Sequence, residues 1–309
     1  MQIIKKTVAA LLIGVFAASA LTVSAQQPRF LSLSGPEGLP IIPVFEGWTA
    51  NADGTTSYSY GIINRNEEAV EIPVGEKNFI EPAKYSGVQP AHFPPGRSVG
   101  VFTVTVPADE RDLDIWWNIQ TGNSDVLKVP GRHGISAYEL DFIRPRPQGA
   151  LQPLVGLGED GAASPGLSAW TADIPGGAVS VGEQVELVLN LTDPAVRDET
   201  DPRFGEPLDM GVQFNKWQGP GEVTFTRHSD AEVPTNPYNE GDPRFNRWRA
   251  PEANELSVTG PNGLAKVYAT FSAPGEYVIH TKVDIHSAPD SSNGDQCCWT
   301  NVFQRVTVE

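Results

Sequence analysis

Between Gly275 and Ile285 the side chains alternate: Ile279, Thr281, Val283 and Ile285 fall on one side, His280, Lys282 and Asp284 on the other. A period of two marks a strand with one face in a core and one face in water. The run Val267–Phe271 has the same character, and Ser272-Ala273-Pro274-Gly275 supplies a turn between the two. A hairpin cannot bury its apolar face by itself, so a second sheet must cover it. The expected fold class is all-β, with two β-sandwich domains in tandem. The 30 Gly and 27 Pro of the 309 residues fit many strands joined by turns.

The remaining strands are spaced accordingly. In a first domain over residues 30–143, Tyr58, Tyr60 and Ile62 share one strand face, entered from the turn Asn51-Ala52-Asp53-Gly54. Val70, Ile72 and Val74 read as the next strand, Phe102, Val104 and Val106 as another. Leu113, Ile115, Trp117 and Ile119 line a further one, while residues 79–97, Pro-rich and polar, read as a long ordered loop. Residues 144–169 open with Arg144-Pro145-Arg146-Pro147, turn Gly-rich, and read as a linker. The second domain, residues 170–309, carries Val181, Val185, Leu187, Leu189 and Leu191 on one face, then Met210–Phe214 and Val223–Phe225. Insertions over 192–209 and 228–255 interrupt it, and loops of that length are usually functional or disordered.

Residues 1–25 read as an export signal: Lys5 and Lys6, an apolar run from Ala9 to Leu21, and the small-residue site Val23-Ser24-Ala25. The expected location is periplasmic or extracellular. The signal holds two of the 22 basic residues and none of the 38 acidic ones, so its removal leaves a net charge of −18. Such a surface argues against nucleic acid and anionic membranes, which need basic patches, and suits cations such as calcium. No later stretch is long and apolar enough for a transmembrane helix, so no membrane insertion of the mature chain is expected.

Ala269-Thr270-Phe271-Ser272-Ala273-Pro274-Gly275-Glu276-Tyr277-Val278 resembles the closing hairpin of polycystic-kidney-disease-type (PKD-like) and related bacterial immunoglobulin-like domains. In place of the Trp-Asp-Phe-Gly-Asp-Gly signature of PKD domains stands Asn215–Phe225, so what the resemblance implies is the immunoglobulin-like fold for the second domain. The mature chain also resembles a group of uncharacterised exported bacterial two-domain β-sandwich proteins. The segments that carry this are Tyr60–Asn66, Glu71–Gly75, Gln89–Phe93, Gly100–Val104 and Gln218–Phe225. The resemblance implies fold and compartment.

Candidate chemistry is sparse. Cys297 and Cys298, the only cysteines, are adjacent, and neighbouring strand side chains point to opposite faces. A vicinal disulfide in a turn suits an oxidising compartment; two free thiols, a soft-metal site or an intermolecular bond are the alternatives. His280, Lys282, Asp284 and His286 read as a solvated outer strand face, on which only Asp284 and His286, about 7 Å apart, could share an ion. Asp284, Asp290 and Asp295 around a polar loop are calcium candidates as oxygen ligands, without the regular spacing of an EF-hand. Trp116 lies with Asn118 and Gln120 on the polar face of its strand, where it could stack on a sugar ring or pack against the rest of the chain. Trp217 and Trp299, in or beside loops, are further binding candidates. No nucleophile elbow, His-Glu-x-x-His, phosphate loop or Cys-x-x-Cys occurs. The expectation is an exported binding or interaction module for an extracellular glycan or a surface protein. An enzyme, hydrolytic or metal-dependent, with a site built from the long loops is one alternative, and a structural spacer in an envelope assembly the other.

Overall fold

The computed structural model describes residues 38–140 except 52, 151–164, 170–196, 200, 209–285 except 232, and 299–309. The fold is all-β, and among the described residues the only helical elements are three-residue 3-10 turns. The first half is built from β1 (Ile42–Ala50), β2 (Thr56–Asn64), β3 (Val70–Glu71), β4 (Asn78–Glu81), β5 (His92–Phe93), β6 (Gly96–Val106), β7 (Ile115–Ile119) and β8 (Leu127–Gly131). Antiparallel sheets β1-β2-β6 and β4-β7-β8 enclose the core, with the ribbon β3-β5 beside them. Tyr58, Tyr60, Phe102 and Val104 from one sheet meet Ile80, Ile115 and Trp117 from the other, and all are buried. Phe102 stacks on Tyr60 (4.9 Å between centroids) and meets Trp117 edge-on (4.8 Å). Burying two tyrosines requires partners for their hydroxyls: Tyr58 donates to the Arg111 carbonyl and Tyr60 to that of Ile115, both at 2.6 Å.

Three local expectations are corrected. Residues 79–97 are not one loop, since they hold most of β4, a 3-10 turn at Ala83–Tyr85, and β5. The strand at Val70 ends after Glu71, because Pro73 has no N–H to continue pairing, and Val74 is exposed. Leu113 precedes β7 and is also exposed.

The second half comprises β9 (Leu154–Leu157), β10 (Trp170–Asp173), β11 (Gln184–Thr192), β12 (Met210–Gln218), β13 (Val223–Arg227), β14 (Glu255–Val258), β15 (Asn262–Phe271), β16 (Gly275–Asp284) and β17 (Trp299–Val308). Sheets β13-β15-β11-β9 and β10-β17-β16-β12-β14 face each other. Leu187, Leu189, Val267 and Phe271 from the first meet Phe214, Tyr277, Ile279 and Val302 from the second. The two predicted strands are present as β15 and β16, but the expected hairpin is corrected: they lie in opposite sheets and do not pair, so the turn at Ser272–Pro274 is a corner between layers. Tyr277 pins that corner by donating its hydroxyl to the Ala273 carbonyl (2.9 Å), the tyrosine corner of immunoglobulin-like sandwiches. Gly219 is required beside it, at φ +139°, because a Cβ there would fall 2.2 Å from the Tyr277 ring. Within the stretch read as linker, Leu154–Leu157 pairs as edge strand β9 with Leu189–Thr192. Four residues including a glycine are too short for periodicity to register.

The outer face of the five-stranded sheet is covered where the first half packs on it. Trp217 (β12) and Phe303 (β17) are buried in the aromatic core of the first half. Trp217 Nε1 donates to the Val88 carbonyl (3.0 Å), and the Ala91 N–H to the Trp217 carbonyl (2.8 Å). Gln218 Nε2 donates to the carbonyls of Gly87 and Gln89, and Lys216 Nζ pairs with Glu71 at 2.8 Å. The expected solvated face of β16 is thereby corrected: His280 is 4% exposed, hydrogen-bonded through Nε2 to Asn301 (2.8 Å) and packed on the Trp217 and Phe303 rings. Polar side chains tolerate such burial when a second layer provides partners.

Candidate functional site

At the open side of the second sandwich, strands β13 and β14 are the edges of their sheets, and the connection β14–β15 crosses from one layer to the other. The gap is a cleft of about 750 Å³. Its floor is aliphatic: Val258 and Leu256 from β14, which point into the core, and Leu264 from β15, 40% exposed. Its rim is charged, carrying Asp209, Arg227, Asp230, Glu255 and Lys266. The basic groups are held in place. Arg227 donates from Nη2 to the carbonyls of Pro251 (2.9 Å) and Glu252 (2.8 Å), which ties the end of the 228–255 insertion to β13. Lys266 pairs with Glu159 at 2.7 Å, which raises its pKa.

His228 is buried at the cleft wall. The Asp230 N–H donates to its Nδ1 (3.1 Å), which leaves Nε2 to donate to Glu186 (2.7 Å), and its ring lies against Tyr268. Both nitrogens are engaged, so this imidazole is held as part of the wall. A second cavity of about 540 Å³ lies on the other side of β14, over the outer face of the sheet. Gly211, Gln213, Lys282 and Asp284 line it, and Asp209, Pro251, Glu255, Leu256 and Ser257 border both cavities.

The residues singled out in the sequence are dispersed. Trp116 is partly buried on the outer face of β7, with Lys128 Nζ 4.8 Å from its ring centroid. Its neighbours share that face: Asn118 donates to Glu81 (3.1 Å) and Gln120 to the Ser124 carbonyl (2.8 Å). Trp217 and Trp299 are not loop platforms but strand residues, each 4% exposed. Trp217 fills the seam between the halves. Trp299 packs on Leu140 and against Gly100, where a Cβ would fall 2.6 Å from its ring. Gly100 also donates its N–H to Glu46 (2.8 Å), a carboxyl whose pKa burial raises. Asp284 has Lys282 Nζ 3.5 Å from its carboxylate. Cys297, Cys298, His286, Asp290 and Asp295 lie outside the described residues. Among the described residues no group of three or more His, Cys, Asp or Glu is arranged to hold a metal. The cleft itself was missed in sequence because Glu255–Val258 closes a long insertion. Its one signal is Leu256 and Val258 flanking Ser257 just before the Thr259-Gly260-Pro261 turn.

No family model matches this chain, and no curated protein matches it. Among solved structures it is similar to the ASH / PapD-like domain of human CEP192, at 13% identity over 57% of this chain and 98% of that one, with a TM-score of 0.26. The D0-D1 domain of intimin is similar at 12% identity over 87% of this chain and 97% of that one, with a TM-score of 0.23. CfaE, the adhesive subunit of the CFA/I fimbria of enterotoxigenic Escherichia coli, follows at 10% identity over 89% and 82%, with a TM-score of 0.22. No helix among the described residues is long and apolar enough to cross a membrane.

Proposed function

We propose that this protein is an exported, non-catalytic binding module, and that it holds a surface protein in the cleft between β13, β14 and β15. The observation that carries this reading is the lining of the cleft: an aliphatic floor of Leu256, Val258 and Leu264 inside a rim of charges. A concave site with an apolar centre and a polar margin is the usual anatomy of a recognition surface. A protein is favoured over a glycan because the described lining residues include no Phe, Tyr or Trp ring on which a sugar would stack. Arg227, Lys266 and His228 are braced by backbone carbonyls and carboxylates, which suits the positioning of a bound partner.

The test is capture from cell-surface protein and glycan fractions by the mature chain and by Leu264→Asp. Leu264 is 40% exposed, so its replacement should leave the melting temperature within a few degrees while placing a charge on the cleft floor. A protein partner lost on Leu264→Asp supports the reading. Equal capture by both proteins removes the cleft from consideration. Capture of a glycan that is instead abolished by Trp116→Ala would move the site to the outer face of β7.

A further inference from the structure

We propose that the outer edge of β14, at Ser257, takes up an extended segment of the partner protein as an added strand, with apolar side chains alternating with basic ones. The inference rests on the cleft being a protein-binding site and specifies how the partner is held.

The ladder gives the first half of the argument. In an antiparallel pair, opposed residues alternate between those that exchange backbone hydrogen bonds and those that do not. The Phe214 N–H donates to the Asn254 carbonyl (2.9 Å), which fixes the phase. Two residues along, Val212 and Leu256 are the next bonded pair, followed by Met210 and Val258. Ser257, opposite Gly211, lies between them, so its N–H and C=O point away from β12. Among the described residues, β14 is the last strand of its sheet on that side. Exposed groups of this kind are the template on which a further strand forms.

The two cavities give the other half. Successive side chains of an added strand point to opposite faces. One set would enter the 750 Å³ cleft and reach Leu256, Val258 and Leu264. The other would enter the 540 Å³ cavity, whose own Asp284 and Lys282 lie 3.5 Å apart and whose excess of carboxylates comes from Asp209 and Glu255, shared with the cleft. The aliphatic floor of the cleft on one side and the net negative lining on the other select a segment alternating aliphatic with Lys or Arg. A short edge strand with a charged residue is also how sheets are kept from pairing, and Glu255 fits that role. The cavities on both faces distinguish this edge from a merely blunted one.

The probe is a fluorescent heptapeptide, Lys-Val-Lys-Val-Lys-Val-Lys, titrated against the full exported chain and followed by anisotropy. It should bind at least about tenfold more tightly than Lys-Lys-Val-Val-Val-Lys-Lys, which has the same composition without the alternation. Ser257→Pro removes the outward N–H at an edge position where proline is tolerated. It should weaken the alternating peptide at least about tenfold, whereas Ser257→Ala should leave it unchanged. A peptide N-methylated at alternate residues tests the same ladder without altering the protein, and it should lose binding to the same extent.

Equal affinity for the two peptides, or undiminished binding of the N-methylated one, would overturn strand addition in favour of charge attraction alone. Sedimentation of the wild type as a dimer that Ser257→Pro dissociates would make the occupant a second copy of this chain and also overturn it. A surface partner kept by Ser257→Pro but lost by Leu264→Asp would leave the cleft reading standing and the strand reading refuted. A partner kept by both variants would refute both.

Discussion

His280 shows how one residue changes meaning when its neighbours are known. On the sequence it belongs to a polar face. In the fold it is enclosed by Trp217, Phe303 and Asn301. Burial lowers its pKa to about 4; the Asn301 hydrogen bond opposes that shift and Lys282 adds to it. The unfolded chain, with an imidazole near 6.5, therefore takes up its proton first. The stability tied to neutral His280 is complete above pH 6.5 and is lost as pH falls from there towards 4. Its size is roughly 3 kcal/mol at 1.4 kcal/mol per unit. Urea unfolding across that window should show a steeper loss for the wild type than for His280→Gln. Glu46 acts with the opposite sign, since burial raises its carboxyl, but it is common to both proteins and cancels in the difference. Parallel curves would mean that His280 is not held neutral in the seam.

At the scale of elements, legibility followed strand length and the number of faces buried. The ten-residue β16 was readable from its alternation, whereas the corner that Tyr277 pins was read as a hairpin turn. Tyr277→Phe should cost about 1 kcal/mol in unfolding free energy, the worth of its bond to the Ala273 carbonyl. No change would mean the corner is set by Gly219 and the turn alone. Four-residue β9 and β14 were not readable, because so few residues give no measurable period and both sit among Pro and Gly. The candidate cleft depends on β14, so its floor was hidden for that reason. The fate of the polar face of β16 was hidden for another: alternation reports that two faces differ, not that one of them meets water. A polar face satisfied by a second layer looks the same in sequence as a solvated one.

At the scale of the whole molecule, the two sandwiches share a layer. The five-stranded sheet serves the second core with one face and completes the first with Trp217 and Phe303 on the other. Backbone and side-chain hydrogen bonds from Trp217, Gln218 and Lys216 cross the same boundary. The cleft lies at the far edge of that sheet, on β14, so a ligand there would be held by a support that both cores brace. Independent beads on a flexible linker would have two stabilities, whereas this arrangement should have one. Differential scanning calorimetry of the chain is the most direct measurement. The account predicts a single transition in which the calorimetric and van 't Hoff enthalpies agree. Two resolved transitions, or a calorimetric enthalpy near twice the van 't Hoff value, would contradict the shared layer.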